Sequence, residues 1–245
     1  MKDFDFPNGS KTLALLLDPD KAVIDNLWLD AIAKAKPDFI LIGGSQPFSP
    51  IKMKTMIETL KDHLSIPLIG FPGDKTQVQE GLDALMALSV IQSTDSRYIL
   101  DPLFQISDFV VKNSITTYYT PYIILGQGGD TAVEIILKDK INSISDIQSF
   151  ARYLNGLSII QPKVVYLEAG SGSKSIIDLE FVTKTKSILK DTFLFTGGGI
   201  RSKEQAEQLW LAGADCVVVG NWIEQSLDGL LELAEIRNNL NSQLN

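Results

Sequence analysis

The chain predicts a (β/α)8 TIM barrel, with the helix after its third strand reduced or absent, on three observations. Eight short apolar runs recur along the 245 residues, each stopping in glycine, a carboxylate or small polar residues. They are near-continuously apolar rather than alternating, which suits a parallel sheet covered on its outer face. Amphipathic stretches separate them, and eight such strands alternating with helices over about 250 residues is the signature of a closed barrel. The first strand also ends in Asp18-Pro19, where an open doubly wound sheet would carry its glycine fingerprint.

In order, Thr12–Leu17 (TLALLL) ends at Asp18-Pro-Asp-Lys, and a helix is expected over Lys21–Ala35. Asp38–Ile42 ends at Gly43-Gly-Ser and is followed by the amphipathic stretch Ile51–His63. Ile66–Phe71 ends at Pro72-Gly-Asp; the link from there to Leu85 is short and carries glycine, which argues against a full helix. Leu85–Ile91 ends at Gln92-Ser-Thr-Asp, and Thr116–Leu125 ends at Gly126-Gln-Gly-Gly. The long stretch Gln127–Ile144 is expected as a helical or loop insertion, with helices over Ser145–Leu157 and Ile177–Lys190. Between those helices the run KVVYLEAGSG, Lys163–Gly172, supplies the sixth strand. The last two strands end at Thr196-Gly-Gly-Gly-Ile-Arg201 and Val218-Val-Gly-Asn221, with a helix over Lys203–Ala212 between them. Leu227, Leu230, Leu231, Leu233, Ile236 and Leu240 stand at helical spacing and predict a closing helix over Glu224–Leu240. With no linker, repeat or low-complexity segment, residues 1–245 read as a single domain.

Composition narrows the function classes. A hydrophobic content of 44% with 21% charged residues is that of a globular protein. A formal net charge of −8, with no block of positive charge, argues against nucleic acid. The single cysteine, Cys216, opens an apolar run and reads as a buried core thiol, so neither a disulfide nor a thiolate metal cluster is expected. The single histidine, His63, reads as a solvated helix-end residue, which removes the basis for Ser-His or His-metal chemistry. The N-terminus lacks an apolar leader core, and no run approaches about eighteen uncharged apolar residues; a soluble cytoplasmic protein is expected.

In a barrel the strand endings gather on one face, where such enzymes keep their active sites. Gly170-Ser171-Gly172, Gly197-Gly198-Gly199 and Gly220-Asn221 are successive glycine-rich endings ahead of helices, and bare N–H groups at helix N-termini bind phosphate. Any one of them could be a plain tight turn; three in succession favour a phosphate ester. Asp18 and Asp20 offer hard oxygens for Mg²⁺, which takes one or two carboxylates and completes its shell with water and phosphate oxygens. One of them can instead cap the helix expected from Lys21. We assign the metal to Asp18 and the cap to Asp20, although spacing alone leaves the reverse open. Gly43-Gly-Ser45 either brings a hydroxyl beside the metal or a second phosphate, or is a strand-to-helix turn. Glu168, next to Leu167 and Ala169 and two residues after Tyr166, is costly to bury unless used or paired. It is either a proton acceptor for a substrate hydroxyl or an ion-pair partner of Arg201 or a lysine.

Together LLLDPDK, LIGGS, PLIGFPG, YLEAGSG, GGGIRS and AGADCVVVGN, in this order, make the chain resemble the geranylgeranylglyceryl phosphate synthases and the bacterial heptaprenylglyceryl phosphate synthases. The resemblance covers most of the chain. It implies a modified barrel that transfers a prenyl group, geranylgeranyl in the first place, from its diphosphate to the sn-3 hydroxyl of sn-glycerol 1-phosphate. The product is an ether-lipid precursor. It also implies Mg²⁺ held by Asp18 and Ser45, and glycerol phosphate held by Tyr166, Leu167, Glu168, Ala169, Gly170, Ser171, Gly172, Gly198, Gly199, Gly220 and Asn221. Glu168 would be the base, with Tyr166 beside it in the catalytic pair. A homodimer or a hexamer of dimers is implied too, with Trp28, Phe150, Tyr153 and Trp210 as contact candidates or as helix-to-barrel packing. The middle departs from the family pattern. Val90-Ile-Gln-Ser-Thr-Asp-Ser96 stands where Asn-Ser and Arg-Asn-Pro are usual, Tyr119-Thr-Pro-Tyr122 where Pro-Thr-Gly-Tyr is, and Ser173-Lys-Ser-Ile176 follows the glycine loop. The competing functions are a phosphosugar isomerase or synthase on the same fold, and a barrel that binds a phosphate ligand without turnover.

Overall fold

The computed structural model describes residues 4–44, 48–126, 140–170, 172–220, 222–223 and 227–244. Eight parallel strands close into a barrel in sequence order: β1 Thr12–Leu17, β2 Phe39–Ile42, β3 Leu68–Gly70, β4 Ala84–Val90, β5 Thr116–Ile124, β6 Val164–Glu168, β7 Phe193–Gly197 and β8 Cys216–Val219. The seam pairs β1 with β8, Leu13 lying opposite Val217. The outer helices are α1 Asn26–Ala35, α2 Pro50–His63, α3 Asp101–Asn113, α4 Ile147–Ile160, α5 Leu179–Ile188, α6 Lys203–Leu211 and α7 Leu227–Leu244. Between β3 and β4 there is only a single 3-10 turn, Lys75–Gln77. The glycine-bearing link is too short for a packed helix, as expected. None of the described helices is long and apolar enough to cross a membrane.

The first helix begins later than the sequence suggests. The amides of Lys21 and Ala22 turn back onto the Asp18 carbonyl at 3.0 and 2.8 Å, which imitates a helix start. The chain then leaves the helical path until Asp25, whose carboxylate accepts from the Trp28 amide and caps α1. Asp20 is therefore not the cap. Its carboxylate accepts from the Ser49 amide at 2.9 Å and pairs with Lys52 at 3.0 Å, tying the loop after β1 to the start of α2. The insertion expected over Gln127–Ile144 falls mostly outside the described residues. Its end at Ile141 bridges antiparallel to Ser93.

Side-chain alternation splits the apolar residues into two layers. Leu13, Leu15, Leu17, Val165, Leu167, Val217 and Val219 face the helices. Ala14, Leu41, Ile69, Met86, Tyr122, Tyr166, Phe195 and Val218 fill the barrel interior. Phe6 closes the N-terminal end of that interior, stacked on Phe193 with ring centroids 4.8 Å apart. Phe150 and Trp210, considered as contact residues, are fully buried, and the Trp210 indole donates to the Thr12 carbonyl at 3.0 Å. Both are helix-to-barrel packing. Cys216 is a buried free thiol whose pKa burial pushes well up, and His63 is an exposed helix-end residue.

The closing helix carries one buried cation. Arg237 on α7 donates to the Lys36 carbonyl at 2.8 Å and to the Asp38 carboxylate at 2.7 Å. The same Asp38 oxygen accepts from the Leu13 amide at 2.8 Å. One guanidinium thus fixes α7 to the entries of β1 and β2. Arg237→Ala is expected to destabilise the fold by about 2–3 kcal/mol, less than for a fully buried pair because Asp38 is partly exposed and can be hydrated once the guanidinium is gone. Chemical denaturation checks this, and a loss below about 0.5 kcal/mol, ordinary for a surface change, would contradict the clamp.

Candidate active site

The strand endings meet at the C-terminal mouth of the barrel around a cavity of about 410 Å³. Its walls are Leu16, Val218 and Val219 with Gly220 and Trp222 from β1 and β8, Tyr166, Glu168, Gly172 and Ser173 from β6, and Gly198 through Arg201 after β7. The last two strand endings and the sixth, singled out from the sequence, therefore do share one space.

Glu168 closes β6 on an inward position, in step with Val164 and Tyr166. It is 6% exposed. One carboxylate oxygen accepts from the Gly170 amide at 2.5 Å, and the other from the Tyr122 hydroxyl at 2.8 Å. The Tyr166 hydroxyl also donates to it. Burial raises the Glu168 pKa above its usual 4.5, and the hydrogen bonds from Tyr122, Gly170 and Tyr166 oppose that rise without cancelling it. Among the described residues no ion pair reaches it. Arg201, the suggested partner, turns instead to the carbonyls of Gly172 and Ser173, at 3.4 and 3.0 Å, and binds the loop after β6 to the loop after β7.

Tyr166 is fully buried, its ring stacked between Tyr122 and Phe195 at 5.1 and 6.1 Å. Burial and the neighbouring Glu168 carboxylate push the pKa of both tyrosines well up, so both are hydrogen-bond donors at neutral pH. Gly198 lies at φ +87, and a methyl there would sit 2.5 Å from a Glu168 oxygen and 2.7 Å from the Gly170 amide. Only glycine lets the loop after β7 close over the carboxylate. Ser202 caps α6 through the Gln205 amide, so the Gly198–Arg201 loop runs into a helix N-terminus with Arg201 adding a full charge. Loops that run into a helix N-terminus in this way are a common setting for anions.

The remaining expected residues fall into three groups. Gly172, Gly198, Gly199 and Gly220 line the cavity with Tyr166 and Glu168, while Gly170 serves it through its amide. The side chains of Leu167 and Ala169 pack in the helix-facing layer and line no part of the cavity, which leaves their backbone as the part that could serve it. Ser45, Ser171 and Asn221 lie outside the described residues.

Asp18 is not part of this cavity wall. One of its oxygens accepts from the Asp20 amide at 3.0 Å, and the other pairs with Lys21 at 2.9 Å. Gly44 rests directly against the carboxylate, so close that a methyl at Gly44 would collide with it. Among the described residues no group of three His, Cys, Asp or Glu side chains assembles. A single carboxylate against a glycine backbone suits Mg²⁺, whose shell is completed by water and phosphate oxygens, and does not fit an all-protein cage.

Two participants escaped the sequence reading. Tyr122 donates to Glu168 from the neighbouring strand, signalled only by its inward parity on β5. Gln77, 1% exposed on the helix-free crossover, holds Gly44 and Gly73 through its side-chain amide. In the divergent middle, the Gln92 amide does comparable work. It accepts from the Ile124 amide at 2.8 Å and donates to the Ile124 carbonyl at 3.0 Å, joining the ends of β4 and β5.

The raised Glu168 pKa has a consequence for stability. The folded state binds the Glu168 proton more tightly than the unfolded chain, so stability falls as pH rises from the usual glutamate value through the raised one. Glu168→Gln lacks this loss and is expected to gain on the wild type across that window in pH-dependent denaturation. Parallel curves would contradict the burial of an unpaired carboxylate.

A family model described as the PcrB family matches residues 10–237. The geranylgeranylglyceryl phosphate synthase of Sulfurisphaera tokodaii is 33% identical over 92% of this chain and 92% of that protein. The synthase of the same name from Flavobacterium johnsoniae is 32% identical over 89% of each. Among solved structures, the (S)-3-O-geranylgeranylglyceryl phosphate synthase of Thermoplasma acidophilum in complex with its substrate sn-glycerol-1-phosphate superposes with a TM-score of 0.83. It has 26% identity and covers 94% of both chains. With its closed eight-stranded barrel and its glycine-walled site, the chain belongs to the PcrB family of geranylgeranylglyceryl phosphate synthase relatives.

Proposed function

We propose that the chain is a prenyltransferase that joins the prenyl group of a prenyl diphosphate, geranylgeranyl diphosphate in the first place, to the sn-3 hydroxyl of sn-glycerol 1-phosphate. The observation that carries this is Glu168: a buried carboxylate with hydrogen bonds but, among the described residues, no ion pair, facing a cavity walled by phosphate-type glycine loops. The phosphate of the acceptor sits at Gly198, Gly199 and Gly220, before the N-terminus of α6, with Ser171 and Asn221 completing the loops. Its hydroxyl then points to Glu168. The hydroxyl oxygen bonds to prenyl C1 as the C1–oxygen bond to diphosphate breaks; pyrophosphate leaves, and the hydroxyl proton passes to the Glu168 carboxylate. Tyr122 and Tyr166 hold that carboxylate in place by donating to it, and Tyr166 floors the cavity. Carbon at C1 is already cation-like when the hydroxyl arrives, so positioning contributes more than base strength.

The donor diphosphate belongs to the other half of the mouth, at Asp18, Lys21 and the Gly43-Gly44-Ser45 loop. Asp18 and Ser45 would hold Mg²⁺, which when bound neutralises charge on the departing diphosphate. The prenyl tail runs toward the side of the third to fifth strands. There the crossover lacks a helix, and a second cavity of about 860 Å³, with Leu64, Ile66, Leu82 and Phe109 among its walls, opens at the N-terminal end. The protein acts in the cytoplasm as a homo-oligomer, and the exposed Phe104 and Val111 of α3 offer apolar surface for a contact.

A phosphosugar isomerase needs a second acid or base across from the phosphate, yet among the described residues that line the cavity Glu168 is the one carboxylate. Incubation with sn-glycerol 1-phosphate, Mg²⁺ and prenyl diphosphates of graded length is expected to yield an ether-linked prenylglyceryl phosphate. Folded protein that makes none at any length would overturn the assignment. Glu168→Gln is expected to cut kcat by about 10²-fold, the lower end of what general bases supply, with little change in glycerol phosphate affinity. An unchanged rate would remove Glu168 as the base.

A further inference from the structure

We infer that Gln77 is a positioning residue for the donor half of the site, replacing with one side-chain amide the organisation that a crossover helix would supply. The inference rests on the placement of the donor diphosphate at Asp18 and the Gly43-Gly44-Ser45 loop.

The crossover from β3 to β4 carries no α-helix, only the turn Lys75–Gln77 capped by Asp74. In a barrel the loop after each strand is normally steadied by the helix that follows it. Here Gln77 turns inward and is buried. Its amide nitrogen donates to the Gly44 carbonyl at 2.8 Å, while its oxygen accepts from the Gly73 amide at 2.9 Å and, at a longer 3.4 Å, from the Gly44 amide. Both polar groups of Gly44 are thus met by one side chain, as a neighbouring strand would meet them, beyond the point where β2 and β3 have stopped pairing at Ile42 and Gly70.

What Gly44 touches gives this clamp its significance. It lies against the Asp18 carboxylate without room for a Cβ, so the position of its backbone limits where that carboxylate can lie. Asp18 is itself held from the other side by the Asp20 amide and Lys21. A diphosphate and its metal binding here meet a carboxylate whose position is set by the Gly44 backbone, held by Gln77, on one side and by the turn after β1 on the other. A buried glutamine serving stability alone would have no reason to act on one substrate more than the other. This one bonds to loops of the donor half and to none of the residues lining the acceptor cavity.

Calorimetric titration of the full chain with magnesium pyrophosphate and, separately, with sn-glycerol 1-phosphate tests the inference without recourse to turnover. Gln77→Met keeps the length and the packing but removes all of these hydrogen bonds. It is expected to raise the Kd for magnesium pyrophosphate about tenfold, the effect of one to two lost hydrogen bonds. The Kd for sn-glycerol 1-phosphate should stay within about twofold, as for a distant independent site. Gln77→Asn, whose amide is drawn back by one methylene, is expected to fall between, and carries the test if the Met variant does not fold. Folded variants that bind pyrophosphate as the wild type does, or that lose both ligands in parallel, would overturn the role of Gln77 alone. Wild-type protein that takes up no magnesium pyrophosphate would overturn the donor-site placement and the clamp with it.

Discussion

The structure turns on a carboxylate that has been taken out of water without a cation among the described residues to meet it. Burying an ionisable group costs several kcal/mol unless hydrogen bonds replace its hydration, and Glu168 obtains them from three elements at once: the Tyr122 hydroxyl on β5, the Tyr166 hydroxyl on β6 and the Gly170 amide just beyond it. Each donor imposes a demand on the chain. Tyr122 and Tyr166 must both point inward, which fixes the parity of β5 and β6 and sets them opposite one another. Gly170 must turn back at φ +101, and Gly198 must have no side chain where it passes over the carboxylate. The glycine-rich loops that look like a phosphate cradle are thus also the lid of the Glu168 site.

The two halves of the mouth, acceptor and donor in the function we propose, are organised by different physics. The acceptor half is built on ordinary barrel machinery, with strands delivering loops to capped helices and Arg201 linking the loops after β6 and β7. The donor half adjoins the crossover with no helix, and there side-chain amides take over. Gln77 secures the loops after β2 and β3, and Gln92 joins the ends of β4 and β5. Removing a helix opens one side of the barrel, consistent with room for a long apolar tail, while the amides keep the polar rim in register.

Much of this was legible in the sequence because its causes are local. Strand runs ending in glycine or carboxylate located all eight strands, and a glycine in a short link announced the missing helix. Glu168 stood out as a carboxylate at the end of an apolar run. The start of α1 misled because the turn on the Asp18 carbonyl has the hydrogen bonds of a first helical turn, whereas the true cap, Asp25, lies several residues on. The family resemblance includes Leu167 and Ala169 in the site, and strand alternation sends their side chains to the opposite face, so that only their backbone can serve it. Tyr122 and Gln77 were missed for another reason. Glu168 lies 46 residues from Tyr122 and Gly44 lies 33 from Gln77, and no local pattern distinguishes a polar residue that bridges strands from one that meets solvent.

The most direct examination of the central claim is a crystal structure of the protein with sn-glycerol 1-phosphate. The expected result is phosphate density against Gly198, Gly199 and Gly220, with the sn-3 hydroxyl within about 3 Å of a Glu168 oxygen, hydrogen-bond range for a proton acceptor. Phosphate found instead beside Asp18 and Gly44, or a hydroxyl turned away from Glu168, would contradict the division of the site into acceptor and donor halves.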